Sequence, residues 1–326
     1  MERAAKTVSD WFQSLVEKWQ RFWFTPTAPH TLALLRMLNG AMLFYTHLVW
    51  GKDLLAFLGP NAWINRDTAK LLNTLPTGEN YTWSYLYYID SPWLLGMLHL
   101  LALAVFAMYA AGLLTRITAV LAWLITLSYC HRLVGTQYGL DQVNAFLAMY
   151  LMLAPCGAVY SLDAWLADRK SNVKRPLARS TATTIATRLI QLHLCVIYFF
   201  GGVSKMRGEM WWDGSAVWFA IANLEYQTLS LTWLISCRWL IALLTHVTVL
   251  WETFYCVLVW PRWSRPLVLA LAFGVHGFIG FGLGMITFGL AMISANLVFL
   301  PPEFVAASMR KIFRSKELPR PAATNS

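Results

Sequence analysis

"IATRLIQLHLCVIYFFGGVSK", residues 185–205, is an apolar run in which only Arg188 near its start and Lys205 at its end carry a full charge. A helix needs about 20 mostly apolar residues to cross the core of a bilayer, and this run is long enough. The lysine that closes it has three readings. It is an anchor at a helix end, one half of a buried ion pair, or a catalytic base.

The composition of the whole chain puts the run in a membrane. Hydrophobic residues make up 58% of the 326 and charged ones 13%, with a mean hydropathy of +0.50. Ordinary soluble domains carry about 25% charged residues. The chain is also rich in aromatics, with 17 Trp, 13 Tyr and 18 Phe, as expected where amphipathic rings settle at the two membrane interfaces. The net charge of +10 does not point to nucleic acid, because the Lys and Arg fall mainly between and beyond the apolar segments. Cys130, Cys156, Cys195, Cys237 and Cys256 form no CxxC pair and lie in or beside apolar segments. They signal neither a disulfide framework nor a zinc site, and no metal is expected.

Outward from the opening run, eight candidate spans fall at about 32–50, 93–113, 116–132, 143–160, 185–205, 237–259, 265–283 and 285–301. The fold class is therefore all-α, a polytopic transmembrane helical bundle. The third candidate is short. The last two are separated only by "GFGLGM", residues 280–285, which reads as a tight turn or as a break in one helix. Ahead of the bundle, residues 1–29 hold Trp11, Phe12, Leu15, Val16, Trp19, Phe22 and Trp23 at helical spacing, with Lys6, Lys18 and Arg21 around them. That is the pattern of an amphipathic helix lying on a membrane surface. It lacks the apolar core and small-residue cleavage site of a signal peptide. Residues 30–302 form the membrane domain, and 303–326 a short basic tail expected to be disordered.

With the N-terminus inside, seventeen Lys and Arg fall on the inner side and seven on the outer. Cytoplasmic loops carry the excess, so both termini are expected in the cytoplasm. Polar residues near span ends then collect on the outer face: Arg132 ends the third span, Asp141 and Asn144 begin the fourth, and Glu209 and Asp213 follow Lys205. An ionisable group in a membrane is a site hypothesis by default, although a lysine at a helix end also snorkels to the interface. His47, His99, His193, His246 and His276 fall in five different spans, where a histidine commonly bonds between helices. Glu252 sits about mid-span and should be protonated or paired with a cation such as Arg36 or Arg188. P-loop, GxGxxG and GxSxG motifs do not occur.

"YFFGGVSKMRGEMWWDG", residues 198–214, resembles the segment around the catalytic lysine of vitamin K-dependent γ-carboxylase, an apolar aromatic run leading into Gly, a spacer, Lys, and then Trp and Gly. Other pieces match in the same order: "LALLRMLNG" with Arg36 and Gly40, "GLLTRITAVL" with Gly112 and Arg116, and "YSLDAW" with Ser161 and Asp163. "HGFIGFGLGMITFGLAM" resembles the late-helix stretch, with His276, Phe288 and Met292 in register. The likeness covers roughly residues 30–302. The chain is identified on it as a member of the HTTM (horizontally transferred transmembrane) group, bacterial-type relatives of the carboxylase membrane domain. An inner (cytoplasmic) bacterial membrane is the implied location.

The resemblance implies that Lys205 is a base acting on a reduced quinone of the vitamin K or menaquinone kind. Aromatic walls desolvate such a lysine and favour its uncharged form, and Phe199, Phe200, Trp211 and Trp212 are placed to build them. The implied substrate-binding set is Arg132, Asp141, Asn144, Trp211, Trp212, Asp213 and His276. Two features depart from the carboxylase. "GTQYGLDQVNAF", residues 135–146, offers Asp141, Gln142 and Asn144 where that enzyme has a helper histidine, and no sizeable soluble domain follows the last span. The expected partners are membrane lipid, a lipophilic small molecule and a separate soluble or membrane protein. Beside the quinone-linked enzyme stand two alternatives: a non-catalytic membrane module that binds lipid or a protein, and a small-molecule transporter.

Overall fold

The computed structural model describes residues 2–171, 177–225 and 228–314, and those residues form an all-helical protein. Lys174, Arg175 and the end of the basic tail, 315–326, lie outside the described residues. The helices are α1 Glu2–Phe24, α2 His30–Trp50, α3 Leu54–Leu58, α4 Arg66–Leu72, α5 Pro92–Ala111, α6 Thr115–Arg132, α7 Gly139–Leu151 and α8 Leu162–Ser171. They continue with α9 Thr181–Lys205, α10 Glu209–Trp212, α11 Ala216–Ala222, α12 Arg238–Leu258, α13 Arg265–Gly282, α14 Ile286–Asn296 and α15 Pro302–Arg314.

Local chemistry sets several of these boundaries. Ser91 caps α5 by accepting from the Leu94 amide, Pro92 takes the first helical position, and Gly112 ends the helix in the left-handed conformation (φ 73°). That is the arrangement expected where a start needs an acceptor and a stop needs positive φ. Ser180 caps α9 at the Ala182 amide, and the helix then runs 25 residues, about 37 Å at 1.5 Å per residue.

Among the described residues, five helical stretches are long and apolar enough to cross a membrane: His30–Leu58, which joins α2 to α3, and α5, α9, α12 and α13. Ile286–Phe299 and Pro302–Ile312 pass only as a pair bent by 119°. The eight spans read from the sequence also counted 116–132 and 143–160. The first is the 18-residue α6, which carries Arg116, Ser128, His131 and Arg132. The second stops at Leu151 after 13 residues, about 20 Å, less than the roughly 30 Å of a bilayer core. Pro155 and Gly157 turn the chain there, and residues 152–160 leave the helix. "GFGLGM" is a tight turn: α13 ends at Gly282, Gly284 takes φ 75°, and α14 folds back so closely that a Cβ on Gly289 would lie 3.1 Å from Gly280 Cα.

Neighbouring contacts fix which helix ends share a side. Arg36 near the start of α2 bonds carbonyls at the end of α5, His99 near the start of α5 meets Tyr129 near the end of α6, and Tyr138 beside α7 meets Thr287 of α14. One end of the bundle thus gathers the segments 51–91, 133–138, 206–225, 228–237 and 283–285. The other holds α1, α8 and α15, with Thr27 paired to Ser180 and Thr31 bonded to the Leu300 carbonyl. The amphipathic α1 leaves Trp11, Phe12, Leu15, Val16 and Trp19 exposed. It is held by Arg188, whose guanidinium lies 4.3 Å from the Phe22 ring and donates to the Phe22 carbonyl.

Arg36 explains why the turn after α7 sits where it does. Fully buried, it donates to Tyr109 O (2.6 Å), Ala110 O (2.8 Å), Tyr160 O (2.6 Å) and Cys156 O (3.2 Å). The guanidinium thereby satisfies carbonyls left open at the end of α5 and ties the 152–160 turns to them.

A second tie crosses nearby. Asp163 of α8 accepts from the Leu114 amide (2.8 Å) and from the Thr115 amide and hydroxyl (2.7 Å each), capping α6 from outside. Burial of this carboxylate opposes its charge, but the bonds from Thr115 and Leu114 and the nearby Arg36 outweigh it and hold Asp163 below the usual carboxylate range. The stabilisation is therefore present above the ordinary Asp range and fades as pH falls through the depressed value. Asp163→Ala should lower stability by about 1 kcal/mol, read as a lower melting temperature near pH 7. The gap to wild type should shrink in acid, where wild type loses the same bonds.

Candidate functional site

Lys205 is the last residue of α9, and Glu252 lies in the body of α12. Lys205 Nζ donates to Glu252 Oε2 at 2.6 Å, with the lysine side chain 27% exposed and the glutamate 11%. The mid-span carboxylate therefore has a cation, but not either of those named from the sequence. Arg36 is spent on carbonyls, and Arg188 on Phe22 O and on Gln191 Oε1 (2.8 Å). Lys205 is thus one half of an ion pair. The indole of Trp211 flanks it, with Nζ 5.5 Å from the ring centre.

Two glycines let the partners meet. A Cβ on Gly202 would lie 2.7 Å from Thr253 N and 3.0 Å from its Cα, whereas one on Gly201 would meet only Glu252 Oε2 at 3.3 Å and Lys205 Nζ at 3.8 Å. The α9 and α12 backbones touch at Gly202, as small residues permit in membranes. Gly202→Leu should force the helices apart and lower the melting temperature markedly, while Gly201→Ala should be mild. Equal melting of the two variants would show that the close approach is not needed.

Behind the ion pair lies a buried polar chain drawn from four helices. Asn296 Nδ2 of α14 donates to Tyr198 Oη of α9 at 2.8 Å, and Tyr198 Oη is 2.7 Å from His276 Nε2 of α13. Tyr255 Oη of α12 donates to Asn296 Oδ1 at 2.7 Å. With Tyr198 accepting from Asn296, its own proton goes to His276 Nε2, which assigns the ring proton of a neutral His276 to Nδ1. His276 Nδ1 is buried and has no partner among the described residues. Trp251 and Phe288 pack around this ring, and it lies within electrostatic reach of Lys205.

Of the residues read from the sequence, Lys205, Trp211 and His276 fall in this neighbourhood. Asp141 accepts from the Tyr138 amide at the start of α7, and Asn144 accepts from Asn39 Nδ2 (3.1 Å). Trp212 is exposed and donates to Met206 O. Asp213 caps the following turn, where the side chain and amide of Ser215 hold its carboxyl below the usual range. It lines a cavity of about 470 Å³ with Trp218, Arg238 and Trp239. Arg132 bonds Ile64 O. A larger cavity of about 1220 Å³ opens at the other end of the bundle, between the 152–161 turns and α8. His193 pairs with Tyr150, His99 with Tyr129, and His246 with Trp212 O. Among the described residues, no group of three or more His, Cys, Asp or Glu is placed to hold a metal ion.

Tyr198, Tyr255 and Asn296 were not singled out from the sequence. Tyr198 carried a usable signal, since seven residues are about two turns and put it on the Lys205 face of α9. Tyr255 likewise lies one turn from Glu252 on α12. Asn296 stood alone in an apolar run, with no spacing to mark its partner.

The fold is all-helical, with several helices of the length and apolar character found in multi-pass membrane proteins. The chain is 25% identical over 216 residues to a Bacillus subtilis (strain 168) protein described as uncharacterized protein YitO, a likeness covering 64% of this chain and 68% of that one. No family model matches the chain, and no solved structure does.

Proposed function

We propose that this chain is a multi-pass protein of the HTTM group, set in a bacterial inner membrane with both termini cytoplasmic, and that its Lys205–Glu252 pair takes a proton from a reduced, quinone-like molecule arriving through the lipid. The observation that carries the reading is the 2.6 Å ion pair between two apolar helices, roofed by Trp211. Charges at such a depth are costly and are kept for a purpose. Phe199 and Phe200 are exposed beside it, and an apolar molecule dissolved in the bilayer would meet that face first.

The pairing refines the role of the lysine. An ammonium bound to a carboxylate is already protonated, so the group that accepts a further proton is the Glu252 carboxylate. Lys205 then stays charged and offsets the negative charge left on the molecule that gave the proton. A bound hydroquinone would supply the acidic hydroxyl and the reducing electrons. In the tautomer assigned above, His276 Nδ1–H is a donor without a partner among the described residues, within electrostatic reach of Lys205 and suited to a carbonyl or phenolic oxygen. His276 thus offers an imidazole in a chain that lacks one in "GTQYGLDQVNAF".

The ion pair also favours a second reading. A lysine satisfied by a glutamate ties α9 to α12, and a membrane module that binds lipid or a protein partner needs no more than that. Wild type and Lys205→Met, purified in the same lipid, separate the two through oxidation of reduced menaquinone and oxygen uptake. The proposal expects activity in wild type and a loss of at least about 100-fold in the variant. Equal rates would leave Lys205 a structural tie.

A further inference from the structure

We infer a second binding site, for an anionic group, at Arg132. It goes beyond the reading of Lys205, because none of the residues that build it belongs to the Lys205 cluster. Arg132 closes α6, is 1% exposed, and donates from Nη1 to Ile64 O at 2.9 Å. Its Nε and Nη2 are buried without a partner among the described residues. Those two nitrogens form one edge of the guanidinium, with parallel N–H bonds spaced for the two oxygens of a single carboxylate or phosphate.

Nothing described in the protein answers that edge. Among the described residues the ion pairs are Arg66 with Asp90, Arg179 with Glu303, and Lys205 with Glu252. Asp141, the acidic residue nearest in sequence, caps the start of α7. Arg66 lies within electrostatic reach of Arg132 and adds positive potential there, offset in part by its own partner Asp90. Arg36 is the instructive contrast. It is equally buried and also lacks an acidic partner, yet every one of its nitrogens finds a backbone carbonyl. Burial of an unpaired charge is strongly unfavourable, and Arg132 leaves open the edge that Arg36 fills. A carboxylate or phosphate, from a lipid headgroup or a dissolved molecule, supplies both the missing charge and the missing acceptors.

The test uses the full chain in neutral phosphatidylcholine nanodiscs, with melting followed while inorganic phosphate or acetate is added, and a parallel preparation containing phosphatidylglycerol. Wild type should show a saturable rise in melting temperature with at least one probe. Arg132→Lys keeps the charge but lacks the two-pronged edge, and should need about tenfold more of that probe. Arg66→Gln, which removes the neighbouring charge together with the Arg66–Asp90 pair and the bond to Tyr87 O, should show a smaller loss of the same sign. A response to phosphatidylglycerol alone assigns a lipid headgroup, and a response to phosphate or acetate assigns a dissolved ligand. Wild type indifferent to all three probes would overturn the site, as would Arg132→Lys responding as wild type does.

Discussion

Glu252→Leu should destabilise the protein by about 3 kcal/mol, because it strands the Lys205 ammonium between two apolar helices. Lys205→Met should cost less. The carboxylate it leaves behind sheds its charge by binding a proton, whereas the stranded lysine keeps its charge unless it reaches the surface. The double variant Lys205→Met/Glu252→Leu removes both charges and fills the space with side chains of similar volume. It should melt within about 1 kcal/mol of wild type. Thermal unfolding of the four proteins in one detergent completes the cycle. Additive losses, with the double variant worst, would show that Lys205 and Glu252 do not act as a pair.

Arg36→Leu should fail to give folded protein. The Cys156, Ala110 and Tyr160 carbonyls lose their donor together, and Tyr109 O keeps only the Gly112 amide, at about 1–3 kcal/mol for each one left buried and unpaired. That sum rivals the 5–15 kcal/mol that holds a typical domain together. Arg36→Lys should be nearly as damaging, since an ammonium has three donors on one point and cannot span carbonyls arranged around a planar fork. The measurement is the yield of monodisperse protein after size exclusion. A monodisperse Arg36→Leu with wild-type melting would contradict the role given to this residue.

Much of the fold was legible because long apolar runs and their breaks are one-dimensional signals. The apolar run 185–205 closed by Lys205 marked most of α9, and the spacing from Trp11 to Trp23 marked α1. Two segments resisted for different reasons. Residues 145–160 carry no charge and are mostly apolar, and composition does not register that Pro155 and Gly157 turn the chain until Arg36 is seen holding the Cys156 and Tyr160 carbonyls. α6 is helical as expected, but hydropathy alone does not say whether an 18-residue helix ending in His131 and Arg132 spans a bilayer or packs inside a bundle.

The site was legible one residue at a time and not as pairs. Lys205 and Glu252 were each conspicuous as charges in apolar surroundings, yet they lie 47 positions apart. Only the crossing of α9 and α12 at Gly202 brings them together. The same holds for Tyr198 of α9 and His276 of α13, 78 positions apart. Arg36 misled for a related reason, since a charge inside an apolar run suggests a charged partner, and here it found carbonyls.

The most direct test of the Lys205–Glu252 proposal is equilibrium binding of reduced menaquinone to nanodisc-embedded wild type and to Lys205→Met/Glu252→Leu. The double variant is expected to keep the fold while losing both charges, so a difference reports the site and not stability. Saturable binding to wild type, weakened at least tenfold in the double variant, is the expected result. Equal affinity in the two proteins would contradict it.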